Sequence, residues 1–405
     1  MQKKRIWLVS EVFYPDTDIA TANIATEIAL KFREDFEVHV ICGPQDYERK
    51  NNTVQDPQLP EIHIHRWKYF NYNKNHTFKR LLRVVGISLG LFLLGFKIKK
   101  GDKAFVISNP AFITPLYAFL KWCKGFEYFM LMHDVFPENL VTGGYVRENS
   151  ALYKITRKIF IKSRMACDKI VVIGRDMKEL LMRNFPSSRY EDIVIIPNWA
   201  DIDAIFPLPQ QNHPMAEKLG ITNKVVVLFA GNHGVLQNLK AFLEIVKNIS
   251  NNRLHFVFAG GGATKKDLES FVQASGLKNV SFLPPFPRVE NNNILNACHI
   301  GLVSLTDELY GVGVPSKSYN ILGAGKPVLF LGNTQTEIAQ FVLENDLGWA
   351  FSYSEQDKAR AFLNLLSLES LGAIQEKGTK GRRVVEKEYS KKFILNKIGE
   401  LVRGA

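Results

Sequence analysis

The feature that most constrains the fold is an alternation of short β-branched, apolar runs with longer stretches of helical periodicity, which occurs twice along the chain. Such alternation predicts parallel sheets whose faces are covered by helices. We predict strands at residues 6–10, 38–42, 62–66, 104–108, 127–132, 170–173 and 193–197, and then at 225–230, 254–259, 280–283, 300–305, 327–331 and 349–351. We predict helices at 21–32, 81–97, 113–122, 150–166, 177–185, 235–249, 265–275, 288–297, 316–323 and 335–344.

The length of the chain favours two domains, because 405 residues exceed what one ordinary hydrophobic core holds. We predict an α/β protein of two doubly wound, Rossmann-like domains that face a cleft. An N-terminal domain at 1–200, a linker at 201–223 and a C-terminal domain at 224–388 are expected, and an amphipathic helix at 389–402 could pack back on the N-terminal domain. Ligands are expected at the carboxyl ends of the strands.

The charge of the chain is basic and uneven. The net charge is +12, and residues 1–200 hold 30 Lys and Arg against 21 Asp and Glu, which places +9 there and +3 on the remainder. A basic half suits a nucleic acid, an anionic membrane or an acidic substrate. Because no nucleic-acid-binding motif is present, a membrane surface or a phosphorylated lipid is the favoured partner.

Residues 81–96 form an apolar stretch that is a candidate for membrane contact. The stretch includes Arg83 and falls short of the roughly 20 apolar residues that span a bilayer. Basic residues flank it on both sides, namely Lys79, Arg80, Lys97, Lys99 and Lys100. Two interpretations stay open: a helix buried in the core, or a helix with one face partly inserted into lipid.

The cysteines and the start of the chain indicate a cytoplasmic protein. Cys42, Cys123, Cys167 and Cys298 are scattered without metal-ligand spacing, which suits a reducing compartment. The first residues lead straight into a predicted strand, so no signal peptide is expected.

A glycine-rich segment follows the predicted strand 300–305. Residues 311–320 are Gly-Val-Gly-Val-Pro-Ser-Lys-Ser-Tyr-Asn, with Pro315 near the first position of a short predicted helix and Gly-Lys-Pro at 325–327. Glycines let the backbone approach a ligand, the N–H groups of a helix start attract anions, and Lys317 adds a positive charge. The combination predicts a phosphate site, although an ordinary turn with a solvated lysine has the same local pattern.

Other motifs stand where strands of the predicted sheets end. Phe-Ala-Gly-Asn-His-Gly at 229–234 follows the first strand of the second half, and Phe-Ala-Gly-Gly-Gly at 258–262 ends the next strand. His-Asp-Val-Phe-Pro-Glu at 133–138 follows the strand 127–132, and Pro-Asn-Trp-Ala-Asp at 197–201 precedes the predicted linker. Each motif alone is a weak signal of a ligand site.

Together, in this order and spacing, the motifs resemble glycosyltransferase family 4, of the two-Rossmann architecture called GT-B, along essentially the whole chain. The resemblance is sharpest to a bacterial branch that builds capsule, O-antigen or colanic-acid-type polysaccharides and includes N-acetyl-fucosamine transferases. It implies retaining transfer from a nucleotide sugar held by the C-terminal domain. The donor-binding residues that it implies are Gly231, Asn232, Gly234, Gln237, Gly261, Phe286, Gly313, Ser316, Lys317 and Asn320.

The sequence departs from the family at its acidic pair, Glu-x7-Glu. Asn320 stands where the family has the second Glu, which contacts the donor ribose, and the first Glu has no clear match, with Glu308 upstream as a candidate. Many members also carry Arg and Lys in the turn where this chain has Asn232 and Gln237. The diphosphate charge is therefore expected to fall more heavily on Lys317 and on the helix start.

In the N-terminal domain the resemblance implies that His133 lies by the transferred sugar, although a histidine of the core stays an alternative. Glu138 is expected to assist the acceptor hydroxyl, so that His133, Glu138 and Lys317 form the predicted catalytic set. Acceptor binding is assigned to Tyr14, Asp16, Thr21 and Asp134. Asp16 and Asp18 form an Asp-x-Asp, which we interpret as part of the acceptor loop, with a metal site as the open alternative.

The predicted function is therefore glycosyl transfer without a metal or other cofactor. The donor is expected to be a nucleotide sugar, UDP-linked and carrying an N-acetylated amino or deoxy sugar. The acceptor is expected to be a polyprenyl-diphosphate-linked saccharide at the inner face of the cytoplasmic membrane.

Two other classes of function stay open. A GT-B nucleotide-sugar epimerase would carry two adjacent catalytic acids and need no acceptor. A non-catalytic basic scaffold would bind a membrane or nucleic acid in a salt-dependent way, with no effect of added UDP.

Overall fold

The structure, a computed structural model, describes residues 3–45, 59–69, 77–208 and 214–404. It divides into two compact units, one of Met1–Ile196 with Leu395–Ala405 and the other of Pro197–Ile394. The boundary lies between Ile196 and Pro197 rather than at 200. The described part of the predicted linker belongs to the second unit, and residues 209–213 of that prediction lie outside the described residues.

Strands and helices alternate in the first unit. Its elements are β1 (Arg5–Ser10), α1 (Ala20–Phe32), β2 (Glu37–Cys42), β3 (Ile62–Arg66), α2 (Thr77–Gly95), β4 (Lys103–Ile107), α3 (Ile113–Lys124), β5 (Glu127–Met132), α4 (Glu138–Thr142), α5 (Ala151–Arg164), β6 (Lys169–Val172), α6 (Arg175–Met182) and β7 (Ile193–Ile195).

Within the described residues, these strands form one parallel sheet of seven in the order β3-β2-β1-β4-β5-β6-β7. The chain begins in the middle of the sheet and changes direction between β1 and β4, which are hydrogen-bonded neighbours with Leu8 opposite Phe105. The loops that leave these two strands touch, because the Glu11 N–H donates to the Asn109 carbonyl oxygen at 3.1 Å. Such a reversal opens a crevice at the carboxyl ends of the strands.

Helix α1 shows why the hydrophobic pattern produces this packing. Ala22, Ala25, Ile28, Ala29 and Phe32 recur at helical spacing and are all buried. Phe32 meets Phe105 of β4 edge to face, with ring centroids 5.3 Å apart. Burial of each large apolar side chain of this kind contributes roughly 1.5–3 kcal/mol.

The second unit repeats the alternation of strands and helices seen in the first. Its elements are α7 (Pro214–Lys218), β8 (Val225–Ala230), α8 (Leu239–Lys247), β9 (Leu254–Ala259), α9 (Lys265–Ala274), β10 (Val280–Leu283), α10 (Asn291–Asn296), β11 (Ile300–Ser304), α11 (Lys317–Gly323), β12 (Val328–Leu331), α12 (Glu337–Glu344), β13 (Gly348–Phe351), α13 (Gln356–Leu365) and α14 (Leu371–Glu388), with α15 (Lys391–Arg403) at its end.

In the part of this unit that the structure describes, six parallel strands follow the order β10-β9-β8-β11-β12-β13, so the chain reverses between β8 and β11. The prediction of two doubly wound α/β units is confirmed, and every predicted strand is present to within a residue or two. The two sheets have the same internal order. Each therefore has its own crevice at the carboxyl ends of its central strands.

Helices α13 and α14 were not predicted. Helix α14 contains Gly378 and Gly381, and glycine lowers helix propensity. In the structure a Cβ at Gly378 would lie 2.0 Å from the carbonyl oxygen of Gly325, so the glycine permits close packing next to α11. Arg382 adds bonds from its Nη1 to the carbonyl oxygens of Ile205 and Gly323, at 2.6 and 2.7 Å. Tertiary packing thus overrides the local propensity.

The C-terminal helix α15 contributes to both units. Its residues up to Ile394 belong to the second unit and those from Leu395 onward belong to the first. At its end Arg403 Nη1 lies 3.1 Å from Asp35 Oδ2, just after α1. The amphipathic helix that the sequence indicated at 389–402 is therefore present at Lys391–Arg403.

Candidate functional site

The turn after β8 stands at the chain reversal of the second sheet. The Gly231 N–H donates to the Ala259 carbonyl oxygen at 2.9 Å, and the His233 N–H donates to the Gly261 carbonyl oxygen at 2.8 Å. The Gly234 N–H donates to Oε1 of Gln237 at 3.0 Å. We expected the amides of 231–234 to hold phosphate, but these three are occupied within the protein. Gln237 therefore shapes the turn.

Glycines 260 and 262 let the loop after β9 pack against this turn. Gly260 has φ 135°, and a Cβ there would lie 2.0 Å from the Gly231 carbonyl oxygen. A Cβ at Gly262 would lie 2.5 Å from Oδ1 of Asn232. The glycines of 258–262 thus support the neighbouring loop, and the predicted donor residue Gly261 contributes its carbonyl group to that support.

Lys317 brings a positive charge beneath the turn. Its Nζ lies 3.6 Å from the centroid of the Phe229 ring, and a Cβ at Gly231 would lie 3.4 Å from the same atom. The residue as a whole is half-buried, but burial of its ammonium lowers its pKa to about 7. Among the described residues no carboxylate pairs with it. An ammonium without a counterion at a chain reversal is suited to receive an anion.

The start of helix α11 differs from the prediction. The helix begins at Lys317, so Pro315 precedes it rather than standing in its first turn. The N–H groups of Ser318 and Tyr319 donate to the carbonyl oxygens of Pro315 and Ser316, at 3.2 and 3.3 Å. These two amides are not offered to a ligand, which leaves the Lys317 side chain as the main source of positive charge.

Asn320 lies one helical turn after Lys317. Its Oδ1 accepts from the Asp201 N–H at 3.4 Å, and the Asp201 carboxylate pairs with Arg288 at 3.5 Å and Lys391 at 3.7 Å. The residue that replaces the family's glutamate therefore contacts the 197–201 segment. An amide can accept this bond and still donate through its NH2 group.

The remaining predicted donor residues lie in loops of the same unit. Gly313 and Ser316 are half-buried between β11 and α11, and Phe286 is half-buried after β10. Glu308, the candidate for the missing acid, is exposed. The sequence analysis overlooked its neighbour Asp307, whose pKa is raised by burial and further by Glu308.

In the first unit His133 directly follows β5, the strand next to β4. Its N–H donates to Oγ of Ser108, after β4, at 3.2 Å. In the described part of the chain its Nε2 is buried and has no hydrogen-bond partner. Burial lowers the pKa of the imidazole to about 4, so the ring is neutral at pH 7. A buried ring nitrogen without a partner can form a hydrogen bond with a ligand.

Glu138 has a different environment from the one we predicted. Its Oε1 lies 3.5 Å from Arg157 and its Oε2 lies 3.3 Å from Arg164, a buried side chain that also donates to the Phe136 carbonyl oxygen. Both of its carboxylate oxygens are engaged by arginines of the same unit. Glu138 therefore positions the loop 133–138, while the neighbouring Asp134 is exposed.

The predicted acceptor residues Tyr14, Asp16 and Thr21 lie between β1 and the first turn of α1. Arg66, which the sequence analysis overlooked, donates to the carbonyl oxygens of Tyr14 and Gly43 at 2.7 and 3.1 Å and so joins the loops after β1 and β2. Asp16 is buried and Thr21 is half-buried. Within the described ranges no third metal-binding side chain joins Asp16 and Asp18.

Comparisons with known proteins bear on both units. The family model of glycosyl transferases group 1 matches residues 212–377. The chain is 30% identical over 348 residues to the probable glycosyltransferase WbjE of Pseudomonas aeruginosa, covering 85% of each protein. It is 26% identical over 181 residues to the putative colanic acid biosynthesis glycosyl transferase WcaI of Escherichia coli K12, covering 43% of this chain and 42% of that one.

A solved structure shares the fold of the whole chain. The Anabaena protein HepE, crystallised in complex with UDP, aligns with a TM-score of 0.71 and 13% identity over 99% of this chain and 100% of its own. At that identity the similarity establishes the fold alone.

The ammonium of Lys317 makes anion binding at this site dependent on pH. As the pH rises through about 7 the free lysine loses its proton, and an anion then binds only with uptake of a proton, so affinity falls by up to about tenfold per pH unit. Calorimetric titration with inorganic diphosphate from pH 6 to 9 should show this decline. In Lys317→Arg the guanidinium stays charged over this pH range, so the pH dependence of this variant shows the effect of the ligand's own ionisation. The same decline in Lys317→Arg would show that another group is responsible.

Proposed function

The chain belongs to the glycosyl transferases of group 1, and from that premise we propose that it transfers a sugar from a UDP-linked nucleotide sugar to a lipid-diphosphate-linked saccharide. We further propose that the reaction retains the configuration at the anomeric carbon and serves synthesis of a bacterial surface polysaccharide. The naming of WcaI for colanic acid biosynthesis and the bound UDP of HepE support this assignment. The motifs shared with N-acetyl-fucosamine transferases favour an N-acetylated amino or deoxy sugar.

The observation that carries the proposal is the Lys317 ammonium, held against Phe229 beneath Gly231 without a counterion among the described residues. Glycosyl transfer leaves a nucleoside diphosphate whose negative charge grows as the bond between sugar and oxygen breaks. A cation already in place in a desolvated site stabilises that charge with little reorganisation. We assign this role to Lys317 and propose that no metal ion is required for the leaving group.

Donor binding is assigned to the second unit, where Asn320 lies in α11 after the central strand β11 and Phe286 follows the edge strand β10. The amide of Asn320 replaces a carboxylate, so it would bind a ribose hydroxyl by a neutral hydrogen bond. Charge-assisted hydrogen bonds are roughly twice as strong as neutral ones. A weaker bond to the ribose is therefore expected here than in relatives with glutamate.

His133 is assigned to the sugar in the first unit. A neutral imidazole with a buried, unpartnered Nε2 can donate or accept one hydrogen bond from a sugar hydroxyl without a net charge. The ion pairs of Glu138 with Arg157 and Arg164 hold the loop that carries the histidine. Acceptor binding is assigned to the same unit, along the segment from Tyr14 to Thr21 and at the exposed Asp134.

The first unit also carries an apolar surface that fits a membrane. Three adjoining helices, α2, α3 and α5, each expose large apolar side chains on the surface of the unit. We call this surface the apolar face, and its residues are Leu82, Val85, Leu89 and Leu93 on α2, Phe96 directly after α2, Phe119 and Trp122 on α3, and Leu152, Ile155 and Ile159 on α5. A patch contributed by three elements is unusual for a surface in contact with water only.

Ring contacts make the apolar face continuous between α2 and α3. The rings of Phe92 and Phe119 lie 6.2 Å apart, and those of Phe119 and Trp122 lie 5.9 Å apart. Trp122 is 81% exposed, so most of its side chain is available to contact lipid. Tryptophan with its apolar ring and its polar N–H favours the interface between lipid and water.

Exposed lysines border the apolar face, namely Lys97, Lys99, Lys100, Lys154, Lys158 and Lys162. Each basic side chain near anionic lipid contributes about 1 kcal/mol. Arg83, the charged residue within the predicted apolar stretch 81–96, is buried and paired with Glu11 at 3.1 Å. An apolar centre with a basic border favours an anionic lipid surface over a protein partner.

In the part of the chain that the structure describes, no helix is both long and apolar enough to cross a bilayer. We therefore propose peripheral docking of the first unit on the inner face of the cytoplasmic membrane, where a lipid-diphosphate acceptor is presented.

Lys317→Ala should lower turnover at saturating donor by about 10²-fold, the size of effect expected when one stabilising contact to a developing negative charge is lost. Transfer from UDP-sugars to a short-chain lipid-diphosphate saccharide is measured. The exposed Lys278→Ala, on the same unit, is the matched control. Unchanged turnover in Lys317→Ala would exclude this residue from the mechanism. Incubation without acceptor separates transfer from epimerisation, because only an epimerase would then convert the nucleotide sugar.

His133→Ala should reduce turnover much more than it weakens UDP binding, because the proposed partner of His133 is the sugar and not the phosphate. Turnover, UDP affinity by calorimetry and melting temperature are measured in parallel. Equal losses of turnover and UDP affinity, or a collapse of the melting temperature, would support the interpretation of His133 as a histidine of the core.

Leu89→Gln combined with Leu93→Gln should weaken binding to vesicles that contain anionic lipid, and so should the combined change of Lys97, Lys99 and Lys100 to Gln. Flotation with vesicles of increasing phosphatidylglycerol content, at low and high salt, measures the effect. UDP affinity should not change. Vesicle binding that does not depend on lipid charge, together with full activity on a soluble saccharide, would contradict membrane docking.

Matched controls come from the second unit. Val289→Gln with Leu365→Gln alters two side chains that are 85% and 80% exposed. Lys247, Lys266 and Lys278 changed to Gln remove the same charge from exposed positions. Both control proteins should bind vesicles as the parent does.

A further inference from the structure

A cluster of histidines and one glutamate lies on the edge of the first sheet, away from the residues assigned to catalysis. Glu37 and His39 alternate on β2, while His63 and His65 alternate on the edge strand β3. The two strands are parallel, with His39 opposite His63. Because side chains two apart in a strand share a face, all four side chains lie on one face of the sheet. The sequence analysis missed this cluster because its members come from two strands.

The side chains of Glu37, His39 and His63 converge. One possible ligand atom from each lies within 4.8 Å of the other two. Oε1 of Glu37 is 3.1 Å from Nε2 of His39, and the rings of His39 and His63 are stacked with centroids 4.7 Å apart. His63 is exposed, and its ring must turn out of this stack for its nitrogen to share an ion with Glu37 and His39.

His65 and Trp7 hold His39 in place. Nδ1 of His39 lies 3.2 Å from Nε2 of His65, and the His39 ring stacks on Trp7 at a centroid distance of 4.4 Å. Trp7 is in turn held by Asp102, whose Oδ2 accepts from its Nε1 at 2.9 Å. A ligand histidine commonly donates a hydrogen bond from its second ring nitrogen, which orients the ring, and His65 stands where it could accept that bond.

We propose that Glu37, His39 and His63 bind a divalent transition metal ion of the zinc, cobalt or nickel class. Two imidazole nitrogens and one carboxylate oxygen form a donor set suited to these ions, with a water molecule completing a tetrahedron.

Lys97 disfavours metal binding at this cluster through its hydrogen bond to His65. Its Nζ lies 3.0 Å from Nδ1 of His65, and because an ammonium only donates, that nitrogen accepts. His65 then donates through Nε2 to Nδ1 of His39, which leaves the proton of His39 on Nε2, facing Glu37. Coordination at Nε2 of His39 requires this chain of hydrogen bonds to reverse and Lys97 to release His65. Arg5, the other nearby cation, is paired with Asp102 at 2.9 Å.

The position of the cluster indicates a structural ion. Glu37 and His39 are at the amino-terminal half of β2, and His63 is at the same level of β3, whereas the predicted site residues follow the carboxyl ends of their strands. A bound ion joins the edge strand β3 to β2 and stabilises the native state by mass action. The proposal is independent of the proposed sugar transfer, which should continue in the presence of a chelator.

The test uses the full chain without a metal-binding tag, stripped with a chelator and titrated with CoCl2 and ZnCl2. We expect one Co²⁺ per chain with the visible absorption of a tetrahedral site, and a melting temperature that rises with Zn²⁺. His63→Gln and Glu37→Gln should each weaken binding at least tenfold. Lys97→Met should strengthen it.

Glu61→Gln, which removes an exposed carboxylate just before β3, is the matched control and should bind as the parent does. Melting temperatures of all variants in the presence of chelator establish that they fold. Absence of Co²⁺ binding, or binding that His63→Gln and Glu37→Gln leave unchanged, would overturn the proposal.

Discussion

The constraint on which the rest of the structure depends is the parallel pairing of strands outward from a central strand in each sheet. A parallel strand can be joined to its neighbour only by a crossover, and the helix of that crossover covers one face of the sheet. When the chain has filled one side of β1 or β8, it must return to the other side. This reversal places a crevice at the carboxyl ends of β1 and β4, and another at those of β8 and β11.

Burial then gives the residues at these places their chemistry. Lys317 and His133 are both held by apolar surroundings that disfavour their charged forms, which lowers the pKa of Lys317 to about 7 and that of His133 to about 4. The consequences differ, because an anion returns the charge to the lysine, whereas a sugar hydroxyl needs only a neutral imidazole. Glu138 is held differently, because its ion pairs with two arginines make it a positioning group for the loop 133–138.

The architecture could be predicted from the sequence almost completely. Apolar runs such as 225–230 and 254–259 are long enough for buried strands and too short for helices, and their order leaves few possible topologies. Helix α14 was not predicted because its glycines lower helix propensity. Only tertiary contacts explain these glycines, that of Gly378 with the Gly325 carbonyl oxygen and that of Gly381 with the Leu322 side chain. The boundary near Ile196 was placed a few residues too late because the proline-rich linker pattern lies inside the second unit.

The sequence by itself determined the fold class, the family resemblance and the choice of Lys317 and His133 as candidate site residues, because these depend on short-range patterns and on motif order. Only the tertiary structure decided what those residues contact. It showed that the amides of Gly231, His233 and Gly234 are already bonded, and that the glycines after β9 support a loop. It also brought His39 and His63 together from separate strands. Hydrogen bonds and ion pairs between residues far apart in the chain leave no local pattern, because each partner alone has the composition of an ordinary turn or strand.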